Sequence, residues 1–567
     1  MVVTDEKFKE QLPDLPKILL KKASELCSVT SIKDCFPCIN TIRNYKSEYI
    51  FSDIIAGLTV ALQTIPQSIA IALVAGLPPS YGLNSAYVSC FMYFLLGPSK
   101  DCVISPTTIL AVMVSFYVSS YGEAIAVIVT FLSGVIILSM GLLNLGFLVR
   151  FVSVPVVNGF VSAAALSISS LQILPLLGMK SGDKNFFSIY GYLFTHLSEI
   201  KVYDAILGIG SIIGLLLLQE VKKIEFLPKT LRSYICLSRN ATIMCLGICI
   251  AFLFTGEDYT GPFALASPIT PKFPSFTFPS LSLMSDGVQF EFTDILRILG
   301  YSIITLPLVA VLEHTAIVKS FAKGKQVKPT QELFALGMCN LACSLTKTMP
   351  VTSSFSRTAL NHASGVRTTV GCVVTGTLVL LMITCFEVKY LPKATLAAII
   401  ICAVMFLIEP GKILKIWRSK KIDFLVFLVT FIGCLVLGQD LGILLGIALN
   451  LCLILFSSAK PDIEFDKEGT SLIVSPKGHL SYSAAEHFKD TITSNIIEGS
   501  TNKIVIDGQN ISSIDSTIAF VFREMMKDFE QYKCTLVLEN WKAKTVGVLC
   551  RMDNKFKDLV DNKSPSA

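Results

Sequence analysis

Residues 348–368 have the sequence TMPVTSSFSRTALNHASGVRT and lie between two long apolar stretches. Pro350 stops the preceding helix, and the hydroxyl-rich run 352–356 can present free backbone N–H groups at the start of a short helix. A helix start of this kind binds anions. Arg357 lies in the same apolar surroundings, where an ionisable side chain is costly and indicates a functional site. We therefore expect an anion-binding helix start inside a membrane; the alternative is that Arg357 extends to the membrane interface.

A second segment, VISPTTILAVM at residues 103–113, has a similar composition. It also begins beside a proline, Pro106, and offers the hydroxyl groups of Thr107 and Thr108. Two half-helices aimed at one point would each contribute about +0.5 charge, and Arg357 would raise the total to about +2. Such a site suits small anions, including a dianion.

Two more polar residues in apolar segments are candidates for the same site. Gln67 could donate its amide hydrogens to an anion, or serve as a buried structural amide. Glu313, if ionised, would cancel about half of the positive charge, and if protonated would leave it intact. This gives a physical route to proton coupling. His314 and His362 are expected to be packed or interfacial.

The composition places most of the chain in a bilayer. Of 567 residues, 52% are hydrophobic and 16% are charged, and the mean hydropathy is +0.64. The net charge of +6 lies beside hydrophobic segments, which is typical of membrane proteins and argues against a nucleic-acid partner. The sequence has no metal-ligand cluster, phosphate loop or nucleophile elbow, so we expect no cofactor, no resident metal and no enzymatic activity.

Fourteen apolar stretches are long enough to span or half-span a bilayer. They lie at 53–75, 81–97, 103–119, 122–145, 151–176, 204–219, 241–255, 293–318, 331–346, 353–363, 368–386, 394–408, 422–438 and 440–458. Basic clusters follow segments six, eight and twelve, at 222–239, 319–328 and 412–421, whereas the loop 256–292 contains Lys272 as its single basic residue. The positive-inside rule then predicts that both termini face the cytoplasm.

A weak internal repeat relates the two halves of this region. Pro66 interrupts segment one before Gln67, and Pro307 interrupts segment eight before Glu313. Pro106 and Pro350 similarly open the short segments three and ten. Because seven is odd, two seven-segment halves have opposite orientations, which is the inverted repeat of many secondary transporters. We expect a helical polytopic membrane protein with a 7+7 inverted repeat; the simpler alternative is that these prolines only kink helices.

After Pro461 the sequence alternates like that of a soluble protein. The pattern predicts strands near 471–478, 502–508 and 534–540 and helices near 483–497 and 516–532, which is a small α/β domain. Asp515 or Ser516 is expected to cap the second helix, with a phosphorylation or partner site as the alternative. The predicted domains are 1–50, an N-terminal cytoplasmic segment; 51–459, the transmembrane anion-transport domain; 460–560, a soluble cytoplasmic domain; and 561–567, a tail.

Four stretches of the sequence resemble those of a known family. These are AGLTVALQTIPQSIAIALVAGLPPSYGLNSA (56–86), EHTAIVKSFA (313–322), FSRTALNHASGVRT (355–368) and the IDST element (514–517). They are similar to the sulfate permease, or solute-carrier-26, family of anion transporters, and most similar to its branch of sodium-independent sulfate anion transporters. The resemblance covers about 50–560 and implies core and gate domains, a C-terminal STAS domain, elevator-type alternating access and a homodimer.

The family's anion site falls on particular residues of this sequence. The resemblance implies that the substrate-binding residues are Gln67, Thr107, Thr108, Ser354, Phe355, Ser356 and Arg357, with Glu313 as the acidic coupling residue. Several relatives place an aromatic residue after the segment-three proline, where this chain has Thr107. This smaller, polar residue argues against a strict preference for monovalent anions.

We therefore expect a secondary active transporter of sulfate and related anions, with chloride, bicarbonate and oxalate as further substrates, acting by antiport or proton coupling. Two alternatives stay open: an anion channel on the same scaffold, and a nucleobase or organic-acid symporter. The plasma membrane and the lysosomal membrane are both compatible with the sequence.

Overall fold

The computed structural model describes residues 36–559 with short gaps. The gaps are residues 144, 146–151, 180–185, 222–227, 256–260, 267, 269–272, 286–287, 323–327, 387–388, 406–407, 496–502, 532–533 and 554–555. Most of the predicted N-terminal segment, the tail, and five basic residues used to predict sidedness lie outside the described residues, namely Lys222, Lys223, Lys272, Lys323 and Lys325. Contacts divide the chain into two units, Met1–Gly446 and Ile447–Ala567.

The first half of the first unit is almost entirely helical. Its described elements are α1 (Pro37–Arg43), α2 (Ser47–Val74), α3 (Pro79–Leu96), β1 (Ile104–Pro106), α4 (Thr108–Tyr121), α5 (Ala124–Leu142), α6 (Val154–Leu176), α7 (Phe186–Thr195), α8 (Val202–Glu220) and α9 (Lys229–Thr255). A two-stranded hairpin of β2 (Leu283–Ser285) and β3 (Val288–Phe290) follows within the connection to the second half.

The second half repeats the same order of elements. It consists of α10 (Phe292–Leu299), α11 (Ser302–Phe321), α12 (Pro329–Ser344), β4 (Val351–Ser353), α13 (Phe355–Ala363), α14 (Val370–Cys385), α15 (Lys393–Met405), α16 (Pro410–Ser419), α17 (Lys421–Val436) and α18 (Gln439–Ala459), which crosses into the second unit. Each of the fourteen predicted segments overlaps one of these helices, except segment eight, which overlaps both α10 and α11. Among the described residues, seven helical stretches are long and apolar enough to cross a bilayer.

Some details of the helices differ from the sequence prediction. Segment eight is not one helix, because Gly300 adopts a positive φ of 49° and separates α10 from α11. Helices α7 and α16 were not predicted. The apolar run of α7 is only ten residues long, and α16 is amphipathic rather than uniformly apolar, so neither has the pattern of a membrane span.

The membrane helices pack as two groups. The core group contains α2 to α5 and α11 to α14, and the gate group contains α6, α8, α9, α15, α17 and α18. Glycines allow the closest approaches within the core. A side chain at Gly134 of α5 would collide with Leu341 of α12, and one at Gly337 of α12 would collide with Leu138 of α5. Small residues at such contacts are typical of helices that pack inside a bilayer.

Two short strands cross at the centre of the core group. β1 pairs with β4 in antiparallel fashion, with Ile104 opposite Ser353 and Pro106 opposite Val351. Each strand leads directly into a short helix, so the crossing brings the starts of α4 and α13 together. Pro106 is the last residue of β1, whereas Pro350 precedes β4. The two prolines therefore do not occupy equivalent positions in the two halves, contrary to the prediction from the sequence.

The second unit contains the predicted α/β domain. Its elements after α18 are β5 (Ile463–Glu468), β6 (Ser471–Pro476), β7 (Gly478–Leu480), α19 (Ala485–Ser494), β8 (Lys503–Asp507), β9 (Ile511–Ile514), α20 (Ser516–Gln531), β10 (Thr535–Glu539), α21 (Ala543–Met552) and α22 (Phe556–Leu559). The sheet has the order β10-β8-β6-β5, with β5 antiparallel and the other strands parallel. Phe488, Phe522 and Phe529 are fully buried in its core.

Candidate functional site

A cavity of about 70 Å³ lies where the starts of α4 and α13 meet. All eight residues that were predicted for the anion site line it, namely Gln67, Thr107, Thr108, Glu313, Ser354, Phe355, Ser356 and Arg357. They come from four separate elements, α2, α4, α11 and α13. Apolar side chains of α15, among them Ile400 and Val404, close the side that faces the gate group. The sequence prediction did not include this wall, because the uniformly apolar run of α15 gives no local signal of a site.

Both helix starts leave their first backbone N–H groups free of side-chain caps. Thr107 is the N-cap residue of α4 and Ser354 that of α13, and neither side chain forms a capping hydrogen bond. The first N–H groups of a helix have no acceptor within the helix. Together with the helix dipoles, these groups make the cavity electropositive.

Arg357 is buried beside the cavity and only partly bonded. It is 1% exposed, and its Nη2 donates a hydrogen bond to the backbone carbonyl of Pro106 at the end of β1. Its Nε and Nη1 have no hydrogen-bond partner among the described residues. Buried donors without partners are rare and need an explanation. The guanidinium therefore adds a full positive charge and unused donors to the two helix starts.

Glu313 lies on the opposite wall and contacts the start of α4. The Thr107 hydroxyl donates to Oε2 of Glu313 at 3.3 Å. Thr107 thus joins the carboxylate of Glu313 to the first half-helix. An ionised Glu313 offsets part of the local positive charge and a protonated one does not, so its protonation state changes the charge that an entering anion meets.

A second cavity of about 200 Å³ adjoins the first and shares Ile109, Glu313 and Phe355 with it. Its far end is lined by Ser320 of α11 and by Glu409 and Lys412 near the start of α16. Lys412 belongs to the loop that the positive-inside rule assigns to the cytoplasm. The two cavities therefore meet at Ile109, Glu313 and Phe355.

His314 is fully buried, and its environment was not predicted. The sequence indicated a packed or interfacial histidine, and the side chain has both ring nitrogens within hydrogen-bond distance of partners, Ser353 and Glu332. His362 has one such partner, Asp101, at 2.9 Å and is part-exposed. Glu332 carried no sequence signal because it lies near the polar start of α12, where acidic residues are common.

Comparison with known proteins identifies the family. The family model described as "Sulfate permease family" matches residues 50–430, and the model described as "STAS domain" matches residues 462–559. The sodium-independent sulfate anion transporter of Bos taurus is 36% identical over 546 residues, which cover 93% of this chain and 90% of that protein. The chain belongs to the sulfate permease family.

One further relative is similar in sequence, and two solved structures share the fold. The chloroplastic sulfate transporter 4.1 of Arabidopsis thaliana is 32% identical over 78% of this chain and 64% of its own length. The structure of murine Solute Carrier 26 family member A9 in the inward-facing state matches with a TM-score of 0.82, 18% identity and 94% coverage of both chains. The transmembrane domain of a cyanobacterial bicarbonate transporter matches 70% of this chain and 97% of its own, at 19% identity and a TM-score of 0.59.

These findings confirm the predicted fold class, a helical multi-pass membrane protein followed by a STAS domain. They also confirm that the protein belongs with transporters rather than enzymes, because the matched sulfate permease relatives are named as transporters and permeases.

Proposed function

We propose that this protein carries sulfate and related small anions across a membrane by elevator-type alternating access. One observation supports the proposal above all others. Among the described residues, two helix starts without side-chain caps and two Arg357 nitrogens without hydrogen-bond partners converge on a single small cavity. Fixed donors of this kind replace the water that an oxyanion loses on entry.

The size and charge of the cavity favour an inorganic anion over the alternatives. A cavity of about 70 Å³ is far below the roughly 300–1,000 Å³ typical of organic-ligand pockets, which argues against a nucleobase or organic-acid symporter. The two helix starts and Arg357 together supply about +2 charge, which matches sulfate and also accepts chloride, bicarbonate or oxalate. Because Thr107 is smaller than an aromatic residue, the cavity has more room for a tetrahedral dianion.

The elevator mechanism is supported by how the helices group. Both helix starts belong to the core group, so movement of that group against the gate group would carry the site as one body. The Ser302 hydroxyl at the start of α11 donates to Oδ2 of Asp440 on α18 at 2.6 Å, which links core to gate. We expect this bond to break during transport, as the core moves away from α18.

Glu313 provides the route to coupling. With Glu313 protonated, the site keeps its full positive charge and binds a dianion best, so a proton and the anion would move together. The same site also supports exchange of one anion for another, in which the returning anion replaces the first.

The remaining parts of the proposal follow from the family resemblance and from the charge of the loops. We infer a homodimer in the plasma membrane or the lysosomal membrane, with both termini in the cytoplasm. Light scattering of the detergent-solubilised protein tests the dimer, and protease protection in sealed vesicles tests the orientation.

The decisive experiment is uptake of radiolabelled sulfate, chloride and oxalate by reconstituted protein at two pH values. Saturable sulfate uptake is expected for the wild type and no saturable uptake for Arg357→Ala. Arg367→Ala is the matched control, because Arg367 is an exposed arginine ten residues later that does not line the cavity. Normal uptake by Arg357→Ala would remove Arg357 from the site. Unitary current steps in planar bilayers would favour a channel instead.

A further inference from the structure

His314 lies at the junction of three elements in the core group. Its Nδ1 is 2.5 Å from the hydroxyl oxygen of Ser353, and its Nε2 is 3.1 Å from Oε2 of Glu332. The ring is 0% exposed, so both contacts are shielded from solvent. A single side chain therefore joins α11 to the end of β4 on one side and to α12 on the other.

Glu332 extends this connection to the other half of the repeat. Its carboxylate accepts a hydrogen bond from the hydroxyl of Tyr93 on α3 at 3.0 Å and another from the hydroxyl of Ser99, shortly before β1. Tyr93 also packs its ring edge-on against His314, with centroids 6.4 Å apart. Because Glu332 accepts from several donors, the network fixes it in one orientation.

Ser353 is the residue through which this network reaches the anion cavity. It ends β4, it pairs with Ile104 across the strand crossing, and the next residue is Ser354, the N-cap of α13. The backbone N–H of Ser354 donates to the carbonyl of Val103 at 3.1 Å, which continues the pairing into the helix start. A shift of Ser353 would therefore move the starts of both half-helices relative to each other.

The neighbouring residue on α11 faces the other way. Successive residues of a helix are about 100° apart, so Glu313 lines the cavity while His314 points into the core. His314 is not a cavity residue and cannot touch the anion. Its influence on the site must act through Ser353 and through the turn of α11 that it shares with Glu313.

We propose that His314 is a positioning residue for the anion site. By bridging Ser353 and Glu332, it holds the crossing of β1 and β4 so that the starts of α4 and α13 face the cavity at a fixed separation. Precise placement of donors matters because a helix start loses most of its effect on an anion beyond the first turn. This inference rests on the proposed function and adds a residue that the family resemblance did not assign to the site.

The test measures the KM and the maximal rate of sulfate uptake by reconstituted full-length protein. His314→Leu removes both hydrogen bonds, so the two helix starts lose their fixed separation. We expect the KM for sulfate to rise about tenfold, which corresponds to about 1.4 kcal/mol of binding free energy. The maximal rate per folded protein should change much less. His314→Gln keeps one donor and one acceptor and should give a KM nearer to that of the wild type.

A second variant distinguishes a specific effect on the anion site from general misfolding. Ser353→Ala removes only the side-chain hydroxyl. If Ser353 and His314 act through the bond between them, the increases in KM of the two single variants should not multiply in the double variant. Because the Ser353 hydroxyl also contacts the thiol of Cys102 at 2.8 Å, the KM of the double variant is expected to lie close to that of His314→Leu and well below the product of the two single effects. Independent, multiplicative effects would overturn the proposal.

His362→Gln is the matched control, since His362 also bonds to a carboxylate, that of Asp101, but lies outside the cavity and outside the crossing. Its KM should equal that of the wild type. A His314→Leu protein with an unchanged KM and a flattened pH profile would make His314 a proton carrier and overturn the positioning role. If the wild type itself shows no saturable sulfate uptake, the proposed function fails, which is a separate result.

Discussion

The start of α13 in the membrane region and the start of α20 in the STAS domain differ in how their first backbone N–H groups are bonded. Every helix begins with backbone N–H groups that lack an acceptor. At α20 the chain supplies its own acceptor, because Oδ1 of Asp515 accepts from the N–H of Ile518 at 2.9 Å. At α13 Ser354 stands at the N-cap position, but its side chain forms no capping hydrogen bond with the described residues of the helix. The comparison indicates that the membrane helix keeps these donors for a ligand.

Asp515 also has a second bond that fixes the soluble helix. Its Oδ2 accepts from the backbone N–H of Tyr482 at 2.5 Å. The predicted capping role of Asp515 is thereby confirmed. A carboxylate with two backbone donors is a stable structural arrangement, and nothing comparable occupies the starts of α4 and α13 among the described residues.

The largest expected effect comes from giving α13 the cap that α20 has. Ser354→Asp would place a carboxylate on the free N–H groups and compete with the anion. Two like charges about 4 Å apart repel by about 4 kcal/mol at an effective dielectric constant near 20, so sulfate uptake should fall at least about 100-fold. Initial rates of radiolabelled uptake measure this. Ser354→Asn, a neutral cap, separates the effect of charge from that of capping; wild-type uptake by Ser354→Asp would contradict the anion site.

The next largest effect concerns the other membrane helix start, α4. Thr107→Phe introduces the aromatic residue found in several relatives and narrows a cavity of about 70 Å³. We expect the preference for sulfate over chloride to fall about tenfold, since a pocket rejects a larger ligand by about 1–3 kcal/mol. Competition of unlabelled chloride against sulfate uptake measures the ratio. Thr107→Val, which keeps the volume, should leave the ratio nearly unchanged, and an unchanged ratio in Thr107→Phe would place the anion elsewhere.

A smaller, several-fold effect is expected at Glu313, which faces the free helix starts. In the wild type, acid pH protonates Glu313 and raises the positive charge of the site, so sulfate uptake should increase as the pH falls. Glu313→Gln mimics the protonated form, so its uptake should stay high and vary little with pH. Uptake between about pH 6 and pH 9 under a fixed membrane potential tests this. Glu409→Gln is the control, and a pH profile like that of the wild type in Glu313→Gln would argue against coupling.

The smallest effect on transport is expected at the capped helix itself. Asp515→Ala removes the acceptor of the Ile518 N–H and should destabilise the first turn of α20 by about 1 kcal/mol. Hydrogen exchange of that turn in the full-length protein should become about fivefold faster, while the KM for sulfate stays the same. The exchange rate of Asp515→Asn, whose side-chain oxygen can still accept the hydrogen bond, should lie between those of the wild type and of Asp515→Ala. Unchanged exchange would show that Asp515 does not stabilise the helix.

The sequence predicted the fold and most of the cavity for physical reasons that are local. About twenty consecutive residues are enough to recognise an apolar run that can span a bilayer, a basic loop or an interrupting proline. Arg357 and Glu313 are conspicuous because ionisable residues are rare in such runs. The hydroxyl-rich starts of α4 and α13 are equally visible, and the structure brings all these residues to one cavity.

Other features depended on contacts between distant parts of the chain. The break at Gly300, the unequal positions of Pro106 and Pro350, and the wall formed by α15 arise only when the helices pack. The strand β5 was missed because its outward residues are charged and its partner β6 supplies the hydrogen bonds.

The sequence by itself indicated which ionisable residues are costly to place in a bilayer and therefore belong to a candidate site, namely Arg357 and Glu313. It also indicated the two hydroxyl-rich helix starts. The tertiary structure alone decided the role of His314. Its partners Ser353 and Glu332 are separated from it along the chain and become neighbours only when α11 packs against β4 and α12. The cost of an ionisable side chain in an apolar run can be recognised from the local sequence, whereas a hydrogen bond between distant residues exists only once the chain has folded.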